Sequence, residues 1–459
     1  MKDIRTYCKE ILGLDLYLDE YLSELGKVLK SKKTKEDKKT ICLIKETDGL
    51  FRILEKQGYD TKGKRSFICS LTERYMKKEL DKTPFESYPL EMITFEEEIE
   101  NQYRLVDLMH KHFDGFQALN EGDYGCHIKY GRPERTVEVE KVLAEYFGAE
   151  DAALVRGGGT GAIRALCFAL IRNGSKVLVH DASMYMTTQI TLDGLGAELI
   201  RADFNDFENI RLRLKEGVDV LYIQRVRQKL SDSYDTVSII KEARKIDPKI
   251  RILVDENYAV NKVRFLGAAI GADASAFSAF KLMGIPGIGI IAGNKDVIDI
   301  VHKQNYSGGG QVQGPEATEV LRSLVINPVL LGVQNRSVDE VVRRLEKGEV
   351  KHVEKALKAN LEERIILVKL DLPIAREVIK EAIKRGGLPH PVGSESRYEV
   401  QTLFYRVAKV MLEEEPLYEK YVIRINPMRS GPETVIRILK ESIESVLCIC
   451  QLKTDHFRN

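Results

Sequence analysis

Asp255 and Lys281, 26 positions apart, stand at the ends of two apolar runs, RILVD and ASAFSAF. A lysine amine condenses with an aldehyde. A carboxylate held against a pyridine nitrogen keeps that nitrogen protonated, so that the ring can accept electrons from a bond being broken. Pyridoxal 5'-phosphate (PLP) requires both groups at once. Either residue alone says little; as a pair closing successive strand-like runs they point to this cofactor.

A third feature supplies a phosphate site. The run AALV leads into RGGGTGAIRALCFAL, a glycine loop that opens a helix, where free backbone N–H groups and the helix dipole favour an anion. Gly158, Gly159 and Thr160 are its candidate phosphate ligands. The same loop satisfies a dinucleotide fingerprint through Gly157, Gly159 and Ala162, and Asp181 ends the next apolar run about 20 residues on, where a ribose-binding acid belongs. PLP phosphate, a dinucleotide and a purely structural turn all remain open for this motif. A nicotinamide enzyme has no need of Lys281. After the run VLYIQ come Gln224, Arg227 and Gln228, polar groups at the mouth of a sheet that can bond a cofactor's ring hydroxyl or a substrate.

These residues need a scaffold that brings strand ends together. Between 152 and 292 seven short apolar runs recur (AALV, KVLVH, AELIRA, VLYIQ, RILVD, ASAFSAF, IGIIAG), separated by helical patterns or loops. That pattern predicts an α/β fold with a mostly parallel sheet covered by helices on both faces. Such sheets bind ligands at the carboxyl ends of their strands, where Asp255 and Lys281 lie. Ahead of the sheet, FEEEIENQYRLVDLMHKHF reads as a helix. A second helix carries Val139, Val142, Leu143, Tyr146 and Phe147, with Gly148 placed to end it. Beyond about 330 charged helices, the strands RIILVKLD and YVIRIN and a last helix predict a smaller α+β domain. The expected parts are a helical N-terminal extension (1–90), a large domain with its leading arm (91–330) and a small C-terminal domain (331–459).

Lys+Arg total 71 against 70 Asp+Glu, a net charge of +1, which argues against nucleic acid or an anionic membrane as partner. The seven cysteines are scattered without paired spacing, and Cys448 and Cys450 point to different helix faces, so neither a disulfide framework nor a metal is expected. Acidic residues interrupt the apolar start, and no run approaches the roughly 20 residues of a membrane span. The expectation is a cytoplasmic protein.

From about residue 120 to 445 the chain resembles a fold type I PLP enzyme, the aspartate aminotransferase superfamily. The order of phosphate loop, ring-stacking residue, aspartate, lysine and carboxylate-binding arginine is kept. YGRPERTVEVEKVLAEYFGAEDAALVRGGGTGAI is similar to the cystathionine synthase and lyase group, and SAFK resembles that group's S-A-T-K. HDASMYMTT, NYSGGGQVQG, PVGSESRYE and IRINPMRSGPETV resemble the bacterial YhfS-type, aminotransferase class V-like family.

The resemblance implies a seven-stranded, mostly parallel sheet and a set of roles. Tyr185 would stack on the PLP ring, with His180 a weaker candidate, and Ser278 would bind phosphate. Phe280 replaces a threonine of the group and removes a hydroxyl. Tyr130 and Arg132 resemble residues lent to a neighbouring subunit's phosphate, and Gly309 and Gly310 lie in a glycine-rich loop of the kind that approaches the cofactor across a dimer interface. A homodimer with composite sites follows. Arg424 would pair with the substrate carboxylate, with Arg429 second. The freed amine of Lys281 would then move the α-proton. Amino transfer is the expected outcome, ahead of β- or γ-elimination or racemisation. Two other classes compete: an NAD-dependent oxidoreductase, and a non-catalytic regulator whose N-terminal helices bind a partner.

Overall fold

The computed structural model describes residues 77, 80–359, 365–392 and 396–456, so most of the expected N-terminal extension lies outside the described residues. The chain divides into two compact units, Met1–Pro84 with Met411–Glu419, and Phe85–Val410 with Lys420–Asn459. In the first, the Thr83 hydroxyl donates to Glu415 at 2.8 Å. The second contains both sheets.

All seven apolar runs are strands: β1 (Asp151–Arg156), β2 (Lys176–His180), β3 (Glu198–Ala202), β4 (Val220–Gln224), β5 (Arg251–Asp255), β6 (Ala274–Ser278) and β7 (Ile288–Gly293). They form one sheet in the order β1-β7-β6-β5-β4-β2-β3. Only β7 runs against its neighbours, β1 and β6; the other pairings are parallel. Strands such as β6 and β7 are buried along their whole length, as a sheet with two covered faces requires.

Helices α1 (Phe95–His112), α2 (Glu134–Phe147) and α3 (Gly158–Leu170) flank the sheet. Thr94 and Glu97 form a reciprocal capping box that starts α1. Gly148 ends α2 in the left-handed region, at φ 67°, as its place in the sequence predicts. The β1 strand ends in the glycine loop, which runs directly into α3. Because β1 is an edge strand whose sheet partner is antiparallel β7, it lacks the central place in a parallel sheet that a dinucleotide fold gives its glycine-loop strand.

The expected boundary at 330 falls inside one continuous helix, α4 (Gly314–Glu346), of 33 residues. Its first half, Ala317 to Leu324, packs in the large-domain core with α2 and β7. Its last turns, Val338, Val341 and Leu345, belong to the small-domain core. The composition changes near 330 because the helix changes partners there, while its backbone continues. The small domain is a four-stranded antiparallel sheet, β10-β11-β9-β8, made of β8 (Val353–Lys358), β9 (Ile366–Leu370), β10 (Leu403–Arg406) and β11 (Val422–Asn426). Helices α5 (Ala375–Lys384) and α6 (Pro432–His456) complete it.

Candidate active site

A cavity of about 380 Å³ opens where the carboxyl ends of β1, β5 and β6 meet the start of α3. Lys281 and Asp255 both line it, together with Gly159, Thr160, Tyr185 and Ser278 from the residues expected at the site. Parallel β5 and β6 end side by side, so a lysine three residues past β6 is brought to the aspartate that closes β5.

The aspartate is tightly held. Tyr222 donates its hydroxyl to Asp255 Oδ2 at 3.0 Å, and the backbone and side-chain N–H of Asn257 both reach Oδ1, at 3.0 and 2.8 Å. Burial nevertheless pushes the Asp255 carboxyl above its ordinary value, opposed by these bonds and by the charge of Lys281. Burial also drives the Tyr222 phenol well up, with Asp255 adding to the effect, so it stays a donor. A buried carboxylate in this state gains from a cationic N–H placed against its remaining lone pairs, which a pyridinium supplies.

The glycine loop is equally specific. Gly157 caps α3 at φ 98° and no side chain caps that helix, leaving its first N–H groups open to an anion. A Cβ on Gly159 would lie 2.1 Å from Asn257 Oδ1, and one on Gly289 would lie 2.3 Å from the Gly158 carbonyl. Gly158 itself turns through φ 63°, beside Ser278 Oγ, and does not line the cavity. Asn257 Oδ1 is buried without a hydrogen-bond partner among the described residues. A carboxylate seeking a cation, an uncapped helix start with adjacent hydroxyls and a lysine amine fit PLP at every end of the molecule.

Several expected ligands are placed elsewhere. Arg227 is buried and gives its guanidinium to backbone carbonyls of Tyr88, Ser233 and Tyr234, which removes it from substrate or cofactor binding. Gln224 sits beside Asp255 in the β4–β5 register, yet its amide turns back to the Val226 carbonyl at 3.3 Å and it does not line the cavity. His180 accepts from the Phe204 N–H through Nδ1 and faces Asp232 through Nε2, each at 3.0 Å; it is a buried hydrogen-bonding residue, not a stacking one.

Arg424 lies on β11 with its Nε donating to the Arg406 carbonyl at 2.7 Å and its guanidinium over the Tyr405 ring; it is not in the cavity wall. Arg429 is also outside that wall, but its Nη2 lies 3.1 Å from Met283 Sδ, two residues past Lys281. Arg397, which sequence reasoning passed over, donates to the Met283 carbonyl at 3.0 Å. Phe280 lines the cavity and packs near Tyr398, with ring centroids 5.8 Å apart.

Tyr130 and Arg132 line a different cavity, with Lys303, Tyr306 and Gln311. Gln311 ties this cavity together by donating to the Gly131 carbonyl at 2.9 Å, and Gly310 bonds back to Ser307. Gly309 has open space around it. The Arg132 Nε is held 2.7 Å from Glu140, a buried acid that burial pushes up to about 7 against the opposing arginine. Thus the two motifs resembling cross-subunit loops meet at one cavity, which Lys281 does not line.

Sequence reasoning missed Tyr222, Asn257 and Tyr258. Tyr222 reads as a core residue inside an apolar strand, but the parallel register that pairs Gln224 with Asp255 also sets it beneath that carboxylate. Asn257 and Tyr258 stand two and three residues after Asp255, and a polar and an aromatic residue so close to a candidate aspartate are a usable signal.

A model of the Cys/Met metabolism PLP-dependent enzymes matches residues 107–361, and a YhfS-like C-terminal domain model matches 339–439. The chain belongs to the Cys/Met metabolism PLP-dependent enzymes. Its cofactor is therefore PLP. An Escherichia coli relative, the uncharacterised protein YhfS, is 43% identical over 361 residues, covering 78% of this chain and 99% of that one. The crystal structure of the E. coli protein, described as PLP-dependent, superposes with a TM-score of 0.77 at 43% identity, over 79% of this chain and all of that one. The L-methionine gamma-lyase of Treponema denticola is 25% identical over 190 residues, 40% of this chain and 46% of the lyase. A cystathionine gamma synthase from Xanthomonas oryzae shares the fold, with a TM-score of 0.59 at 14% identity over 75% and 97% of the two chains. The Cys/Met metabolism model thus spans the large domain and the start of the small one, and the YhfS-like model spans most of the small domain. Among the described residues, no helix is long and apolar enough to cross a membrane.

Proposed function

We propose that the protein cleaves a sulfur-containing amino acid by β- or γ-elimination, releasing a thiol, a 2-oxo acid and ammonia. The observation that carries this reading is the family match across 107–361, the segment that places Gly159, Thr160, Asp255, Ser278 and Lys281 around one cavity. The similarity to L-methionine gamma-lyase supports elimination over the amino transfer expected from the sequence. When bound, PLP supplies an electron sink for the bonds at the substrate's α-carbon.

Each residue then has a defined task. Lys281 would hold the cofactor through its amine, and that amine, when free, would be the base that takes the substrate's α-proton. Asp255, fixed by Tyr222 and Asn257, holds the ring nitrogen protonated. Tyr185 covers the ring, and Ser278, Thr160 and the N–H groups of the glycine loop hold the phosphate. Arg424 and Arg429 are the candidates for the substrate carboxylate, and Arg429 contacts the segment of Lys281 through Met283. In elimination the carbon–sulfur bond breaks, the sulfur leaves with its electron pair and gains a proton, and one water later releases ammonia from the imine. Tyr130 and Arg132, gathered with the 306–311 loop, are proposed to complete the site of a second subunit in a homodimer.

The test incubates the PLP-loaded protein with cysteine, cystathionine or methionine and no added 2-oxo acid. Ammonia and 2-oxo acid are expected in equal amounts. Turnover that requires an added 2-oxo acid and yields no ammonia would overturn elimination in favour of transfer.

A further inference from the structure

Glu140 is an acid on the buried side of α2, among the core residues Val139, Val142 and Leu143, and only 2% of its side chain is exposed. Its two carboxylate oxygens take different partners. Oε1 accepts the Leu154 N–H of the edge strand β1 at 2.9 Å, and Oε2 accepts the Arg132 Nε at 2.7 Å. One side chain therefore ties the arginine to the sheet. His302 Nε2 lies 3.9 Å from the same Oε2 and is buried without a hydrogen-bond partner among the described residues. Burial, with the charge of Arg132 adding to it, brings the His302 imidazole down to about 3, so it is neutral and does not compete with the arginine for the carboxylate. On the backbone side, Gln311 donates to the Gly131 carbonyl at 2.9 Å. Arg132 is thus fixed through Nε and through the peptide before it, while its Nη2 makes no hydrogen bond among the described residues.

We infer that Glu140 is a positioning residue for Arg132, fixing the plane of the guanidinium so that its remaining N–H groups are set for the cofactor phosphate of a second subunit. A guanidinium meets phosphate through N–H groups held in one plane, so a turn of that plane loses the fit. An unrestrained arginine also gives up side-chain freedom when it binds; a partner already on Nε removes much of that cost. The acid is held at a disadvantage. Burial pushes its carboxyl up to about 7, Asp151 adds to the rise, and the Arg132 charge and the Leu154 N–H oppose it. An apolar residue would fill this place in the core without that penalty, so the acid is explained by what it orients rather than by stability. The inference rests on the proposed service of Arg132 to a second subunit's cofactor.

The experiment measures PLP dissociation constants spectroscopically for the wild type, Glu140→Gln, Arg132→Ala and the double variant. Glutamine keeps the shape and an acceptor for the Leu154 N–H but takes the negative charge away from Arg132. Glu140→Gln is expected to weaken PLP binding about tenfold when Arg132 is present, and by less than about twofold when Arg132 is already alanine. A side chain that merely supports the fold would weaken binding equally in both backgrounds. That result would overturn the inference, as would an unchanged constant for Glu140→Gln alone. Should the glutamine variant not fold, Glu140→Asp, which keeps the charge and shortens its reach, is read through the same four-protein comparison. An Arg132→Ala protein that binds PLP as tightly as the wild type would instead sink the service of Arg132 to the cofactor, so the two failures are distinguishable.

Discussion

The hydrogen bond from Tyr222 to Asp255 offers a quantitative test of how the site works. Tyr222 is buried within β4, and phenylalanine keeps its shape while removing the donor that lies 3.0 Å from Oδ2. A hydrogen bond to a charged group contributes about 1.5–3 kcal/mol, or roughly 10- to 100-fold in an equilibrium. Burial already pushes the Asp255 carboxyl up, and losing this donor pushes it further in the same direction. A protonated Asp255 cannot pair with the cofactor's ring N–H, so binding must first remove that proton. At alkaline pH the carboxylate is charged in both proteins, and their PLP dissociation constants should agree. As pH falls the variant's constant should rise above the wild type's, reaching a ratio of about 10–100 on the acid side. The cofactor's own titrations cancel in that ratio. Spectroscopic PLP titration of Tyr222→Phe and wild type across the pH range measures it directly. A ratio of one at every pH would refute the argument. A large ratio that does not vary with pH would point to general damage instead.

Two further outcomes follow from the geometry. Gly159→Ala drives a Cβ into Asn257, which is itself tied to Asp255, so stability should fall by about 1–3 kcal/mol in denaturant unfolding and PLP should bind more weakly. If Arg132 serves a second subunit, mixing and reassociating Lys281→Ala and Arg132→Ala proteins, each inactive alone, should restore up to about one quarter of wild-type turnover, because half the dimers then carry one intact site.

Much of this was legible in the chain itself, for identifiable reasons. All seven large-sheet strands could be read because a sheet covered on both faces writes continuous apolar runs, and their ends located Asp255 and Lys281 without further information. The glycine loop was legible as an anion site but not as a PLP site; sheet order, with β1 at an edge, removed the dinucleotide reading. Side-chain direction was not legible. Arg227 follows a strand at the mouth of the sheet, as a ligand would, but local carbonyls capture its guanidinium. Tyr222 reads as core, and only cross-strand register makes it the donor to Asp255. The change near 330 was legible in composition, but the single helix that crosses it was not, because a helix that changes partners does not have to break.

That helix sets a constraint of a different kind. Thirty-three residues of continuous helix make a rod of about 50 Å, anchored in the large core through Leu321 and Leu324 and in the small one through Val338 and Leu345. Each residue added to or removed from the span between these anchors turns one anchoring face by about 100° relative to the other. The segment therefore acts as a ruler: substitutions along its exposed face are open to the protein, but insertions and deletions are not.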